Sequence, residues 1–316
     1  MKKIALVLLR TLGDVVLINT LAETIKNWHG RDSHLTVYVN PEWQEIIANN
    51  PTIDCIKADY DYHKNFIGIY KLYLTTVYDE VFVAQQTSRE DNNWHQFPES
   101  KNQHLYDYYL YRIGIPRKGE HVDRTIRMYP SQADEEKATE IHNSIGHPRM
   151  IVFHTTSGNP FKDLSMDSWA KVLGFLTDLG YVAVQVGLPT DKNVPGIEGT
   201  GKYVDLRGKV SINEAHCLIK KSEAFLGLDS GMSFVASATG VSTFVFYGCT
   251  IPMTSGPWGS NVHTYVSKEC SVAKERNHTR CHSQCNAQQK CVDLLSADDL
   301  IAFIRDRVPK AQEVVA

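Results

Sequence analysis

Asp229-Ser230-Gly231 stands between two apolar runs, residues 224–228 and 232–236. A small acidic turn that follows a strand can start a helix, and its free N–H groups then lie beside the positive end of a helix dipole, a setting that suits the oxygens of a diphosphate. The same residues also serve plain helix capping, with Asp229 or Ser230 meeting an amide. A loop of similar make stands near the start of the chain, where Arg10-Thr11-Leu12-Gly13-Asp14 joins an apolar run to a helical pattern. Asp14 in that place is either a cap or, facing a cleft, a general base. In the second case Gly13 lets the backbone approach a ligand, and partial loss of water raises the proton affinity of the carboxylate.

Two further loops carry phosphate chemistry. His154-Thr155-Thr156-Ser157-Gly158 offers hydroxyl and amide donors, and Lys162 follows with an ammonium that suits charge developing on a leaving diphosphate. An ordinary Ser/Thr/Gly turn has the same composition. Gly187-Leu188-Pro189-Thr190-Asp191 presents a carboxylate suited to a ribose diol, or to a solvent-facing turn. Neither G-x-G-x-x-G nor G-x-x-x-x-G-K-[ST] occurs, so nicotinamide-dehydrogenase and P-loop readings lose their main support.

Cys270, Cys281, Cys285 and Cys291 lie in a polar segment with His278 and His282. Four thiolates can hold a structural zinc or iron ion and so fix a long loop with little apolar content; disulfides or unbridged thiols are the alternatives. Cys55, Cys217 and Cys249 sit among apolar neighbours and read as small buried hydrophobes.

The elements that must carry these loops follow a βαβ rhythm. In the first third, strands are expected at residues 4–9, 35–39 and 81–84, with Val15, Ile18, Ala22 and Ile25 at helical spacing. Residues 60–111 are rich in aromatic and His side chains without a clean period, which suits either core packing or an acceptor surface of aromatic platforms. Residues 131–145 read as an exposed helix, and Gly146-His147-Pro148 ends it. The domain boundary is therefore expected between 147 and 148. The second half repeats the rhythm: strands at 151–153, 181–186, 203–205, 224–228 and 243–247, helices through Trp169, Leu173 and Leu176, over 212–220 and 232–239, and a closing helix over 296–308 with Ser296 as its cap. Ligands of such sheets sit beyond the carboxyl ends of the strands, which is where Thr155, Gly187, Asp229 and Gly248 fall.

With 316 residues the chain is long enough for two domains, each with its own core. Its 33 basic and 36 acidic residues leave a net charge of −3, so no global basic field points to nucleic acid or an anionic membrane. The apolar run after Met1-Lys2-Lys3 breaks at Arg10, too short for a signal peptide, and reads as a first strand. No stretch approaches the length of a membrane span, so a cytoplasmic protein is expected, with peripheral membrane contact left open.

Five motifs in order, Leu12-Gly13-Asp14-Val15, Thr155 to Ser157 with Lys162 and Trp169, Asp205-Leu206-Arg207-Gly208-Lys209, Asp229-Ser230-Gly231, and Phe246-Tyr247-Gly248-Cys249-Thr250-Ile251-Pro252, resemble glycosyltransferase family 9, the ADP-heptose heptosyltransferases and their relatives. The resemblance runs from residue 1 to about 304 and implies a GT-B architecture of two Rossmann-like α/β domains with parallel sheets facing across a cleft. Residues 1–147 would bind the acceptor and 148–316 the nucleotide sugar. It implies an inverting single displacement without a catalytic metal, with Asp14 as base. Thr155, Thr156, Ser157 and Lys162 would hold the diphosphate, Gly187 and Asp191 would lie at the ribose, and Asp229, Ser230, Gly231 and Met232 would meet sugar and phosphates. The default acceptor is a lipopolysaccharide core sugar; a protein, or a hydroxylated base in nucleic acid, is the alternative, and a nucleotide-sugar-binding module without catalysis is the rival class. Some relatives carry a metal-binding cysteine cluster near the carboxyl end, and the four cysteines here look similar. Two departures stand out: Phe234 replaces the His usual in the family, and Lys-x-Trp-Pro is Lys162-Asp163-Leu164-Ser165.

Overall fold

The computed structural model of the chain describes residues 1–58, 73–84, 104–116, 118–146, 149–197, 201–248, 250–267 and 291–308. It separates into two compact units, Met1–Tyr129 with Met253–Ser255, and Pro130–Pro252 with Gly256–Ala316.

In the first unit, β1 (Lys3–Val7), β2 (His34–Tyr38), β3 (Cys55–Lys57) and β4 (Glu80–Val83) form a parallel sheet in the order β3-β2-β1-β4. Ile4 pairs with Leu35 on one side and Glu80 on the other. Helix α1 (Leu12–His29) follows β1 and is buried on nearly all sides. Burying Asn19 and Thr20 is tolerable because each finds a carbonyl: Asn19 Nδ2 donates to Ile46 O (3.3 Å) and Arg127 O (3.2 Å), and Thr20 Oγ1 to Thr125 O (2.9 Å). Helix α2 (Leu105–Arg112) starts where His104 accepts the Tyr106 N–H and buries Tyr106, Tyr108, Tyr109 and Leu110. That much of the aromatic stretch is core; residues 59–72 and 85–103 lie outside the described residues.

In the second unit, β5 (Met150–Phe153), β6 (Val182–Gln185), β7 (Tyr203–Asp205), β8 (Ala224–Leu228), β9 (Ser242–Tyr247) and β10 (Val262–Val266) form a parallel sheet in the order β10-β9-β8-β5-β6-β7. Helix α3 (Gln132–Ile145) begins with a capping box between Ser131 and Asp134 and packs on α5 (Ile212–Lys220). Helix α4 (Met166–Asp178) turns Trp169, Val172, Leu173 and Leu176 inward, at the spacing of one helix face. Short α6 (Gly231–Ser237) follows β8, and α7 (Ala297–Arg305), capped by Ser296, packs against α4. Phe153, Trp169 and Phe246 meet at the centre of this core, with ring centroids 5.9 and 5.8 Å apart.

The structure differs from expectation in two places. The units divide at Tyr129/Pro130 and not at 147/148, because α3 lays its one buried residue, Ala138, toward the second unit's α5 instead of closing the first. Strands β3 and β10 were not anticipated: β3 has three residues, and β10 is a half-exposed edge strand without a continuous apolar run. Cys249, Cys270, Cys281 and Cys285 lie outside the described residues, while Cys291 is buried at the head of a short 3-10 turn, Cys291–Leu294. Among the described residues no helix is long and apolar enough to cross a membrane.

Candidate functional site

In an open parallel sheet, the loops at the carboxyl ends of two neighbouring strands part where the strand order reverses, leaving room for a ligand. In the first sheet the reversal lies between β1 and β4, and the β1 loop leads to Asp14 in the first turn of α1. Asp14 is only 6% exposed. Its Oδ2 accepts from Thr11 Oγ1 (2.9 Å), Thr11 N (3.3 Å) and Arg10 Nε (3.3 Å), and its Oδ1 accepts from the hydroxyl of Tyr109 on α2. One carboxylate oxygen closes the helix start, and the other is held by a distant phenol. Tyr109 is fully buried, and burial together with the Asp14 charge pushes its pKa well above the ordinary tyrosine value, so it stays a donor. Gly13 lies buried in the same helical turn and has no positive φ.

In the second sheet the reversal lies between β5 and β8. Their two loops meet directly: Lys162 Nζ, after β5, donates to Asp229 Oδ2 (2.7 Å) and approaches Asp229 O (3.5 Å), after β8. Asp229 is buried, while the Lys162 side chain keeps 23% of its surface exposed. Ser157 sets the lysine's place. Its N–H and hydroxyl donate to Asp163 Oδ1 (2.8 and 2.9 Å), and Asn159 Oδ1 accepts the Phe161 N–H (3.0 Å), which winds Pro160–Lys162 into a 3-10 turn. Departure from Lys-x-Trp-Pro therefore has a structural counterpart, since Asp163 braces the turn and Leu164 fills the core.

Two buried hydroxyls beside this ion pair have no hydrogen-bond partner among the described residues: Ser230 Oγ, next in the chain, and Tyr247 Oη, which feels the Asp229 charge; Thr250 Oγ1, three residues beyond Tyr247, is buried and unpaired too. Ser230 occupies the cap position of α6 without capping it. Tyr247 is held neutral by burial and by the nearby Asp229 charge, and Gly256 makes room for it, since a Cβ there would stand 2.1 Å from the phenol oxygen. Buried polar atoms left unpaired are costly, so these hydroxyls are available to a ligand or to water. Tyr247 and Thr250 belong to a motif noted in the sequence but were not among the expected contacts. Gly231 opens α6, and Met232 turns its side chain into the core.

Two expected contacts are used inside the fold. Thr155 is fully buried, accepts from Gln185 Nε2 (3.1 Å) and donates to Lys192 O (3.3 Å), so its hydroxyl faces the protein and not a phosphate. Asp191 folds back on its own turn, accepting from Leu188 N (2.8 Å) and pairing with His154 Nε2 (3.2 Å). Burial opposes ionisation of Asp191, but the bond to His154 prevails and holds its pKa below the usual carboxylate value; the Thr156 hydroxyl faces the same carboxylate. Gly187 makes this turn feasible: its φ is +138°, and a Cβ would come within 2.1 Å of Asp191 Oδ2 and 2.8 Å of the His154 ring.

Among the described residues no group of three or more His, Cys, Asp or Glu side chains is placed to hold a metal ion.

The family model of glycosyltransferase family 9 (heptosyltransferase) matches residues 111–286. Lipopolysaccharide heptosyltransferase 3 of Escherichia coli is 22% identical over 197 residues, covering 60% of this chain and 56% of that protein. The chain spans about half the length of the curated relatives it matches. A solved glycosyl transferase family 9 protein from Veillonella parvula DSM 2008 superposes with a TM-score of 0.77 at 19% identity, covering 96% of both chains. The dodecameric iron-containing heptosyltransferase TibC, solved with ADP-D-beta-D-heptose, gives a TM-score of 0.66 at 15% identity, covering 96% of this chain and 75% of that one. The fold these chains share is GT-B, an α/β class with two parallel sheets, as the sequence resemblance implied.

Proposed function

The chain belongs to glycosyltransferase family 9, and from that membership we propose an inverting transfer of a sugar, without a catalytic metal, from a nucleotide diphosphate-sugar to an acceptor hydroxyl. It is a heptosyltransferase-like glycosyltransferase; the donor proposed is ADP-heptose or a close analogue, and the acceptor a lipopolysaccharide core sugar. The curated heptosyltransferase relatives and the ADP-heptose held by TibC support this choice. In this reading the first unit binds the acceptor and the second the donor.

The observation that carries the proposal is the Lys162–Asp229 pair at the strand-order reversal, with the unpaired hydroxyls of Ser230 and Tyr247 beside it. An ammonium resting on a neighbouring carboxylate is available to a diphosphate, and the hydroxyls suit sugar and phosphate oxygens. The step balances as a single displacement. The acceptor oxygen bonds the anomeric carbon from the side opposite the diphosphate and gives its proton to Asp14. The bond from the anomeric carbon to the diphosphate oxygen breaks, and Lys162 meets the charge left there. Thr156 and the backbone of Gly231 and Met232 complete the proposed donor contacts, whereas Thr155, Ser157, Gly187 and Asp191 shape the loops that hold them. Phe234, buried where the family usually has His, leaves one polar donor contact to be supplied otherwise.

For Cys270, Cys281, Cys285 and Cys291 the proposal is a structural iron or zinc ion. The iron of TibC supports it, and Cys291, buried at the core edge, is a fitting anchor.

The test of transfer uses ADP-heptose with lipopolysaccharide core oligosaccharide and reads ADP release together with the mass gained by the acceptor. Asp14→Asn is expected to lower the rate by about 10²–10⁴-fold, measured on protein shown to be folded by circular dichroism. A variant that is folded and as fast as the parent removes Asp14 as the base.

A further inference from the structure

Resting on the reading of Asp14 as base, we propose that Tyr109 is its positioning residue: the phenol holds Oδ1 so that this oxygen keeps one free lone pair for the acceptor's proton. The argument is a count of lone pairs. An ionised carboxylate has about four acceptor sites, two on each oxygen. Asp14 Oδ2 faces three donors, Thr11 Oγ1, Thr11 N and Arg10 Nε, which leave it no vacancy. Oδ1 receives one donor, the Tyr109 hydroxyl, and so has one site left.

Two features make Tyr109 more than another capping partner. It arrives from α2, 95 residues further along the chain, so it fixes the carboxylate against a separate element rather than within its own turn. It is also fully buried, with Tyr108 beside it at a ring-centroid distance of 6.3 Å, so its hydroxyl cannot turn to water. Among the described residues the charged and titratable groups shown to face Asp14 are Arg10 from its own loop and Tyr109 from α2, and Tyr108 lies against both of these. In the transfer step the proton passes from the acceptor hydroxyl to Asp14 Oδ1, while the Tyr109 proton stays on its phenol.

The experiment is carbon-13 NMR of the full chain labelled at aspartate carboxyl and tyrosine ζ carbons, titrated from neutral to acid pH. The Asp14 signal is assigned by its loss in Asp14→Asn. Removing a buried donor favours the protonated form, so Tyr109→Phe is expected to raise the Asp14 midpoint by about one pH unit or more. In the unmodified protein the Tyr109 signal should move with the same midpoint. That measurement stands even where Tyr109→Phe fails to fold. An unmoved Asp14 midpoint in a folded Tyr109→Phe, or a Tyr109 signal indifferent to Asp14, overturns the proposal. Failure of the base reading is separate, since it appears as unimpaired transfer in Asp14→Asn whatever the NMR midpoints do.

Discussion

Replacing Lys162 by Met tests the donor side most directly, because the side chain keeps much of its length and loses only the ammonium. At 2.7 Å and an effective dielectric of about 20, its gross attraction to Asp229 is about 6 kcal/mol, most of it offset by the cost of drying both charges. Removing one partner of a fully buried pair costs about 3–5 kcal/mol; the partial exposure of Lys162 lets water reach the site and places the expected loss nearer 2–3 kcal/mol. Binding should fall as well. A charge-assisted hydrogen bond to phosphate is worth about 1.5–3 kcal/mol, so the Kd for ADP is expected to rise roughly 10- to 150-fold. Calorimetric titration with ADP measures the second effect and thermal unfolding the first. Lys162→Arg, which keeps the charge, should recover part of the binding. An ADP affinity within about twofold of the parent's in folded Lys162→Met would show that the ammonium never leaves Asp229 for the diphosphate, and the assignment of this loop would fail.

His216, on α5, gives a pH prediction. Burial lowers its pKa from 6.5 to about 4, against the small opposing effect of its bond to Val235 O, 3.2 Å away on α6. Because the folded imidazole resists protonation and the unfolded one does not, stability is highest above pH 6.5 and falls as the pH drops from there toward 4, by up to about 3 kcal/mol. His216→Gln should flatten that part of the pH–stability curve, measured by denaturant unfolding; an identical slope in parent and variant would refute the argument. The cysteine proposal predicts about one iron or zinc ion per chain on elemental analysis, lost together with thermal stability on chelation, and a metal-free chain that unfolds at an unchanged temperature would end it.

Much of the second sheet was legible because a parallel strand covered on both faces is a continuous apolar run, as in β5 and β8. Helix starts were legible for a similarly local reason: Ser131, Ser211 and Ser296 each cap through an amide three residues on. What failed was anything that depends on which element lies beside which. A Ser/Thr/Gly loop has the same composition whether its hydroxyls face a ligand or the backbone, and only the placement of Gln185 and Lys192 reveals that Thr155 is used internally. The fold-back of Asp191 was illegible for the same reason, although Gly187 four residues earlier held a hint, since a glycine there admits the positive φ of a tight turn. Tyr109 was hidden among many tyrosines, and no spacing rule links it to Asp14.

The same topological feature accounts for both halves of the candidate machinery. In each sheet the first strand in the chain, β1 or β5, lies inside, and succeeding strands are added first on one side and then on the other. The loop leaving that first strand is therefore the one beside the reversal, free of the crossovers that cover its neighbours. Asp14 leaves β1 there, and Lys162 leaves β5 there, each tied to a residue far along the chain, Tyr109 in one case and Asp229 in the other. A contact from a distant element restrains the loop that carries the charged group, while the flexible lysine stem would still let its ammonium pass from Asp229 to a phosphate oxygen. Such restraint of the loops is what proton transfer and charge stabilisation demand, since both lose their advantage when the reacting groups must reorganise.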